Sequence, residues 1–240
     1  MPQMFSFIFI VLAFATGFGA GFGQTQEFSA TQVKSVKVEN QTGDIDVSTA
    51  AGAATVTVNM LKKHDDCEQT VQLNGSELLV KITKKSGFFK DCSANLKIQI
   101  PAKVDVAIAN GVGDLKITGV EGNVRYDLGV GNVTIDGAVT KLTGNLGTGD
   151  LKASGLVGSA ELNTGTGDFR VAYKQAPQIG LVSLQVGTGD AVVLLPQDTK
   201  FTTKYQSAVG ELKNELAVTK DAKFNVSFQT AAGDLAIKKL

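Results

Sequence analysis

Tryptophan is absent from this sequence of 240 residues, histidine occurs once, there are two cysteines and four prolines, and 23 basic side chains balance 23 acidic ones. Each scarcity removes a class of function. Without a basic excess there is no electrostatic footprint for nucleic acid or another polyanion, and the charges stand singly, as in "GDLKITG" and "VTKDAKFNV". One histidine, His64, leaves a Ser-His-Asp arrangement a single available base, and nothing near it resembles a nucleophile elbow. Sugar-stacking platforms are few, with tyrosine only at Tyr126, Tyr173 and Tyr205. His64, Asp65 and Asp66 beside Cys67 and Cys92 are too few ligands for a structural metal site. The expectation is therefore no catalytic residue, no cofactor and no metal.

A long apolar run is missing too. The run from Met4 to Ala15 is shorter than the roughly 18 to 20 residues that span a bilayer. Small residues come after it, and a polar chain begins near Gln24, which is the pattern of a secretory signal over residues 1–23. Its first segment lacks Lys and Arg, and small-x-small sites end at Ala15, Gly19, Gly21 and Gly23. No cysteine stands after the run to carry a lipid, and no transmembrane segment is expected once the signal is cut. Residues 24–240 remain as one domain, ample for a core.

Export gives the cysteines a meaning, because an oxidising compartment favours a bridge and Cys67 and Cys92 allow only one. The chain between them reads as a β-hairpin inserted over about residues 62–93. Val71 and Leu73 alternate before "NGS", and Leu78, Val80 and Ile82 alternate after it. Closing such a loop stabilises by about 3 to 4 kcal/mol in the loop-entropy picture.

From Asn110 the sequence runs in blocks of nine without slipping: NGVGDLKIT, GVEGNVRYD, LGVGNVTID, GAVTKLTGN, LGTGDLKAS, GLVGSAELN, TGTGDFRVA. This is an internal repeat. A corner of glycine plus Asp or Asn recurs at Gly113 and Asp114, Gly131 and Asn132, Gly149 and Asp150, Gly167 and Asp168, and, after an insertion, Gly189 and Asp190. Glu211 and Asp234 continue the series at wider spacing. Between corners, "DLKIT" and "NVTID" alternate apolar and polar residues, the period of a half-buried strand, and helical periodicity is nowhere sustained. The predicted fold is all-β: a single-domain β-solenoid, or β-helix, of about 18- to 23-residue coils carrying the disulfide-closed hairpin.

Stacked coils bring like residues together at about 4.8 Å. One inward column is Leu115, Val133, Leu151, Phe169, Ala191, Leu212 and Leu235, and a second is Ile117, Ile135, Ala153, Val171, Val193 and Ile237. The corner glycines supply φ > 0 or close approach, and the Asp or Asn side chain is expected to bond nearby N–H groups as an Asx-turn. A column of carboxylates repels itself, so cations two residues on, such as Lys116, Lys152, Arg170 and Lys213, are expected to neutralise it. Calcium is the alternative, since the rhythm approaches the GGxGxDxUx repeat, but here Asp directly succeeds the second glycine and lysines compete. Thr148, Thr166 and Thr188 share a column with Val112, Val130 and Val209, which β-propensity at a turn edge explains better than a flat ice-binding threonine face.

The same corner occurs earlier in "TGDIDV", and "IQIPA" re-enters the repeat after the hairpin. With the signal and the long run of GxGD coils, the chain resembles the bacterial "putative adhesin" family, related to head GIN domain proteins, over nearly all its mature length. The resemblance implies an exported β-solenoid and brings no catalytic residues. "LPQDTK" at Leu195 departs from wall-anchored members, since neither a glycine nor an apolar tail comes after it, and covalent wall attachment is not expected. The expected role is a secreted, periplasmic or surface-associated, adhesin-like or scaffolding solenoid acting by non-covalent contact with an envelope component, protein or polysaccharide. The alternatives are a polysaccharide-active or polysaccharide-binding β-helix and a calcium-binding repeat protein. Phe88 and Phe89 in "SGFFKD" are the candidate partner contact. The hairpin and the C-terminal "FNVSFQTAAGDLAIKKL", with Lys238 and Lys239, are expected to cover the ends.

Overall fold

Every alternating stretch is a strand. The computed structural model describes residues 25–50, 52, 55–87 and 91–240, so the signal at 1–23 and the Phe88–Phe89 pair lie outside the described residues. Strand β1 is Thr25–Ser29, and β2 (Ser35–Thr42) turns at Gly43 and Asp44 into β3 (Ile45–Thr49). Next come β4 (Thr55–Lys63), β5 (Cys67–Asn74), β6 (Glu77–Lys84) and β7 (Ala94–Ile100). Repeated coils come after these: β8 (Asp105–Val112) with β9 (Leu115–Thr118), β10 (Asn123–Val130) with β11 (Val133–Asp136), and β12 (Lys141–Thr148) with β13 (Leu151–Leu156). Two more are β14 (Ser159–Thr166) with β15 (Phe169–Tyr173), and β16 (Gly180–Thr188) with β17 (Ala191–Leu195). The chain closes with β18 (Thr202–Val209), β19 (Leu212–Asn214), β20 (Phe224–Ala232) and β21 (Leu235–Lys239).

Each coil contributes one strand to each of two sheets that share a core. Sheet A has 11 strands in the order β1-β4-β7-β3-β9-β11-β13-β15-β17-β21-β19, and sheet B has 10 in the order β18-β20-β16-β14-β12-β10-β8-β2-β6-β5. The repeated coils stack parallel and in register, so that Val133 lies between Leu115 and Leu151. Both ends depart from sequential stacking. After β17 the chain goes out to form the last coil, β18 and β19, and then returns to slot β20 and β21 beneath it. The C-terminal segment therefore lies inside the stack and is no cover, which corrects that expectation. At the other end β4 and β5 run antiparallel to β7 and β6. The predicted hairpin is β5–β6, turned at Gly75, and it extends sheet B instead of standing apart from it. The Cys67–Cys92 bridge, with Cα atoms 5.1 Å apart, ties β5 to the chain entering β7.

The corner explains why two glycines are needed. The second, as at Gly131, has φ 143°, a conformation open to glycine and strained for other residues. A Cβ there would also strike the carbonyl oxygen of Gly113 in the preceding coil, and a Cβ on the first glycine, Gly129, would strike that of Gly111. The Asp or Asn after the second glycine works differently from the Asx-turn expected of it. Its Oδ1 accepts the N–H of the corresponding residue one coil on: Asn132 N–H to Asp114 at 2.8 Å, Asp168 N–H to Asp150 at 2.9 Å, Asp190 N–H to Asp168 at 2.8 Å. In space the ladder runs through Asp234 to Glu211.

Inside, the two predicted columns are buried, with one exception. Leu212 is 37% exposed because its coil is the outermost. Size varies along a column and neighbours compensate: the Tyr126 ring leans over Gly144, where a Cβ would meet it. Toward the C-terminal end aromatics take over, with Tyr173 edge-on to Phe224 at 5.3 Å and Tyr205 stacked on Phe228 at 6.1 Å. On the outer face of sheet B, Glu39 receives Lys37 and Lys81, each at 2.8 Å. Those hydrogen bonds pull its carboxyl from 4.5 down to about 2.

The corner and the Glu39 cluster each have consequences for stability. Gly149→Asn is expected to cost about 2 kcal/mol or more, since φ 139° lies outside the left-handed helical region and the Cβ meets Gly131. Gly75→Asn, at φ 61° with open space around it, is expected to be nearly neutral, and urea unfolding of the two variants checks the contrast. Asp150→Asn keeps the acceptor that Asp150→Ala removes, so the Ala variant should be less stable than the Asn variant by about 1 kcal/mol. For Glu39 the folded carboxyl is more acidic than the unfolded one, so its contribution is complete above pH 4.5 and is lost as pH falls toward 2. Glu39→Gln should thus lower the urea midpoint at pH 7, by progressively less as the pH falls through about 2.

Candidate contact surface

The flat outer face of sheet A carries the most regular chemistry of the molecule. Along the corner, Asp44, Asp114, Asn132, Asp150, Asp168 and Asp190 stand one per coil and, with one Oδ1 committed to the ladder, turn the rest of the side chain to solvent. Two residues on, Lys97, Asp46, Lys116, Thr134, Lys152 and Arg170 form a second column in strict register. Pairing between the columns is rarer than the spacing predicts. Lys213 lies 3.5 Å from Asp234 and 3.8 Å from Glu211. Among the described residues, Lys116, Lys152 and Arg170 make no ion pair with a corner carboxylate. The ladder does not itself forbid pairing, since Asp234 holds the Glu211 N–H through Oδ1 and still meets Lys213 through Oδ2. Between the columns runs a shallow groove of about 540 Å³ lined by Asp150, Lys152, Asp168, Arg170 and Asp190.

The opposite face has a smaller dip of about 300 Å³, floored by Ala107 and flanked by Glu77, Asp105, Arg125 and Lys141. Sequence reading missed it, and with it the Lys37–Glu39–Lys81 cluster, because both arise from strands distant in the chain. The only advance signal was the outward alternation "KVE" at Lys37 to Glu39.

The other sequence candidates lie apart. His64 sits in the turn between β4 and β5 at one end of the stack, half exposed, its Nδ1 3.7 Å from the Asp66 carboxylate and accepting the Asp66 N–H. Asp150 is several coils away, in the middle. No group of three or more His, Cys, Asp or Glu side chains among the described residues is arranged to hold a metal ion. Tyr126 and Tyr173 are core residues whose phenols burial pushes above their ordinary value, and the Tyr173 hydroxyl donates to the Gly158 carbonyl at 2.7 Å. Tyr205 is partly buried, its ring stacked on Phe228. Thr148, Thr166 and Thr188 do share the exposed rim column with Val112 and Val130. No helix among the described residues is long and apolar enough to cross a membrane.

No curated protein matches the chain in sequence. A solved structure of a "putative cell adhesion protein" from Clostridium sporogenes ATCC 15579 is 15% identical, with 91% of this chain and 100% of that one covered and a TM-score of 0.41. A "putative adhesin" from Bacteroides fragilis NCTC 9343 is 14% identical, covering 90% and 97%, with a TM-score of 0.46. A "putative lipid binding protein" from Parabacteroides distasonis ATCC 8503 is 12% identical, covering 92% and 98%, with a TM-score of 0.36. Residues 29–238, from the end of β1 into β21, match one family along their whole length, and the chain belongs to that family, Toastrack DUF4097.

Proposed function

We propose that the protein works by non-covalent contact at the cell envelope, as an exported adhesin-like or scaffolding solenoid and not by turnover. In this reading residues 1–23 are a signal that is removed, and residues 24–240 form the working domain. The Cys67–Cys92 bridge supports an oxidising destination. The observation that carries the reading is the outer face of sheet A, where a corner Asp or Asn stands in coil after coil beside a register column that holds Lys116, Lys152 and Arg170. Single exposed charges bind weakly, but an array at fixed spacing sums many weak contacts against an extended partner such as an envelope polysaccharide or surface protein.

The test is binding of the purified protein to isolated envelopes and to polysaccharide extracted from them, with Lys116→Ala, Lys152→Ala and Arg170→Ala combined in one variant. The variant should keep its fold by circular dichroism and lose on the order of tenfold in apparent affinity, more at low salt than at high. Mass spectrometry of the native protein should find its first residue just after one of Ala15, Gly19, Gly21 or Gly23. Cleavage of the polysaccharide, abolished by His64→Ala or Asp150→Ala in a folded protein, would overturn the reading.

A further inference from the structure

We propose that the outer face of sheet B, from β12 to β18, binds an uncharged polysaccharide laid along the stack. Five carboxamides stand there in strict register, Asn145, Asn163, Gln185, Gln229 and Gln206, one from each of the adjacent strands β12, β14, β16, β20 and β18. The chain order hides the series, because Gln206 precedes Gln229 in sequence and lies beyond it in the sheet. Asn145 is half-buried and the other four are exposed. The Asn163 Nδ2 donates to the Asn145 Oδ1 at 3.0 Å, so the stack brings neighbouring amides within reach of each other. Among the described residues the three glutamines make no side-chain hydrogen bond. They are not ties between coils, and their donors and acceptors are free.

Charge and shape select the occupant. Two residues before each amide, on the same face, a second column runs Thr143, Glu161, Ser183, Ser227 and Lys204. Its carboxylate, Glu161, lies 3.6 Å from Lys141, and Lys204 stands on the outermost strand, so the face between them has no array of one sign to hold a charged polymer. Neither column holds an apolar side chain, the usual anchor of a protein partner. Two residues after the amides come Gly147, Gly165 and Gly187, then Ala231 and Ala208, all exposed. They form a low shelf against which the C–H face of a sugar ring can lie. Each carboxamide offers two donors and an acceptor, which suits hydroxyl groups that themselves donate and accept. One such bond exchanged for water contributes little, but a row at about 4.8 Å sums along a chain of repeated sugar units. This inference concerns sheet B and depends neither on export nor on the partner proposed for the face of sheet A.

The experiment is isothermal titration calorimetry of the purified, disulfide-intact protein with soluble dextran, galactomannan and mixed-linkage β-glucan, and with polygalacturonate as the anionic comparison. At least one of the neutral polymers should bind, with nearly the same affinity at low and at high salt. Gln185→Ala combined with Gln229→Ala should weaken that binding by on the order of tenfold while circular dichroism stays that of the parent. The Lys116→Ala, Lys152→Ala and Arg170→Ala variant should bind the neutral polymer as the parent does, which separates this face from that of sheet A. The proposal is overturned if none of the neutral polymers binds, if only polygalacturonate does, or if the double glutamine variant binds like the parent. A dimer in sedimentation that the same glutamine variant dissolves would also overturn it, by assigning the amide column to a second copy of this chain.

Discussion

At each corner from Gly113 to Gly189 the carbonyl of one glycine lies against the Cα of the glycine one coil on, so closely that no Cβ fits between them. The rest of the structure depends on this approach. It holds successive coils at strand spacing on the very side where the chain must bend between sheets, and so it forces like residues into columns. Once columns exist, the core is a set of stacked aliphatic lines, the corner carboxylates become a hydrogen-bond ladder, and the outer faces become charge arrays. Glycine does not supply the stability; it permits the geometry in which burial of the columns does. The side-chain ladder adds a second tie, because Asp150 accepts from the coil on one side while the Gly149 N–H donates to Thr166 in that same coil.

Much of this was legible because the period is unbroken through the middle of the chain. The corner residues, the alternating strands and both inward columns could be read wherever 18 residues separate equivalents. Legibility failed where spacing alone had to decide. Glu211 and Asp234 both fit the corner, and nothing in the series says which of them stacks on Asp190. Burial decides: "FNVSF" brings Phe224, Val226 and Phe228 inward, whereas "TTKYQSAV" brings only Tyr205 with Thr203 and Ser207, so the more apolar segment takes the inner place. The target of the Asp side chains was missed for a related reason. A local turn and a bond to the next coil need the same residue at the same position, and only the spacing of the stack favours the second.

The candidate surfaces were half visible. Lys116, Lys152 and Arg170 could be placed on one face from alternation, but not whether the corner carboxylates beside them would pair with them. Nothing local foretold that Lys97 and Asp46, on either side of the hairpin in sequence, extend the same column. The solenoid thus separates its tasks: the corners and core fix the shape, the broad faces offer repeated charge, and the ends carry the edge strands.

Coils held this close make the corner ladder a bonded, persistent element and not a surface coincidence, and amide hydrogen exchange reads this directly. The N–H groups of Asn132, Asp150, Asp168 and Asp190, each on an exposed residue, should exchange as slowly as those of the flanking core strands, with protection falling at Glu211 in the outermost coil. Exchange of these corner amides at the rate of an unstructured chain, while the strands beside them stay protected, would contradict it.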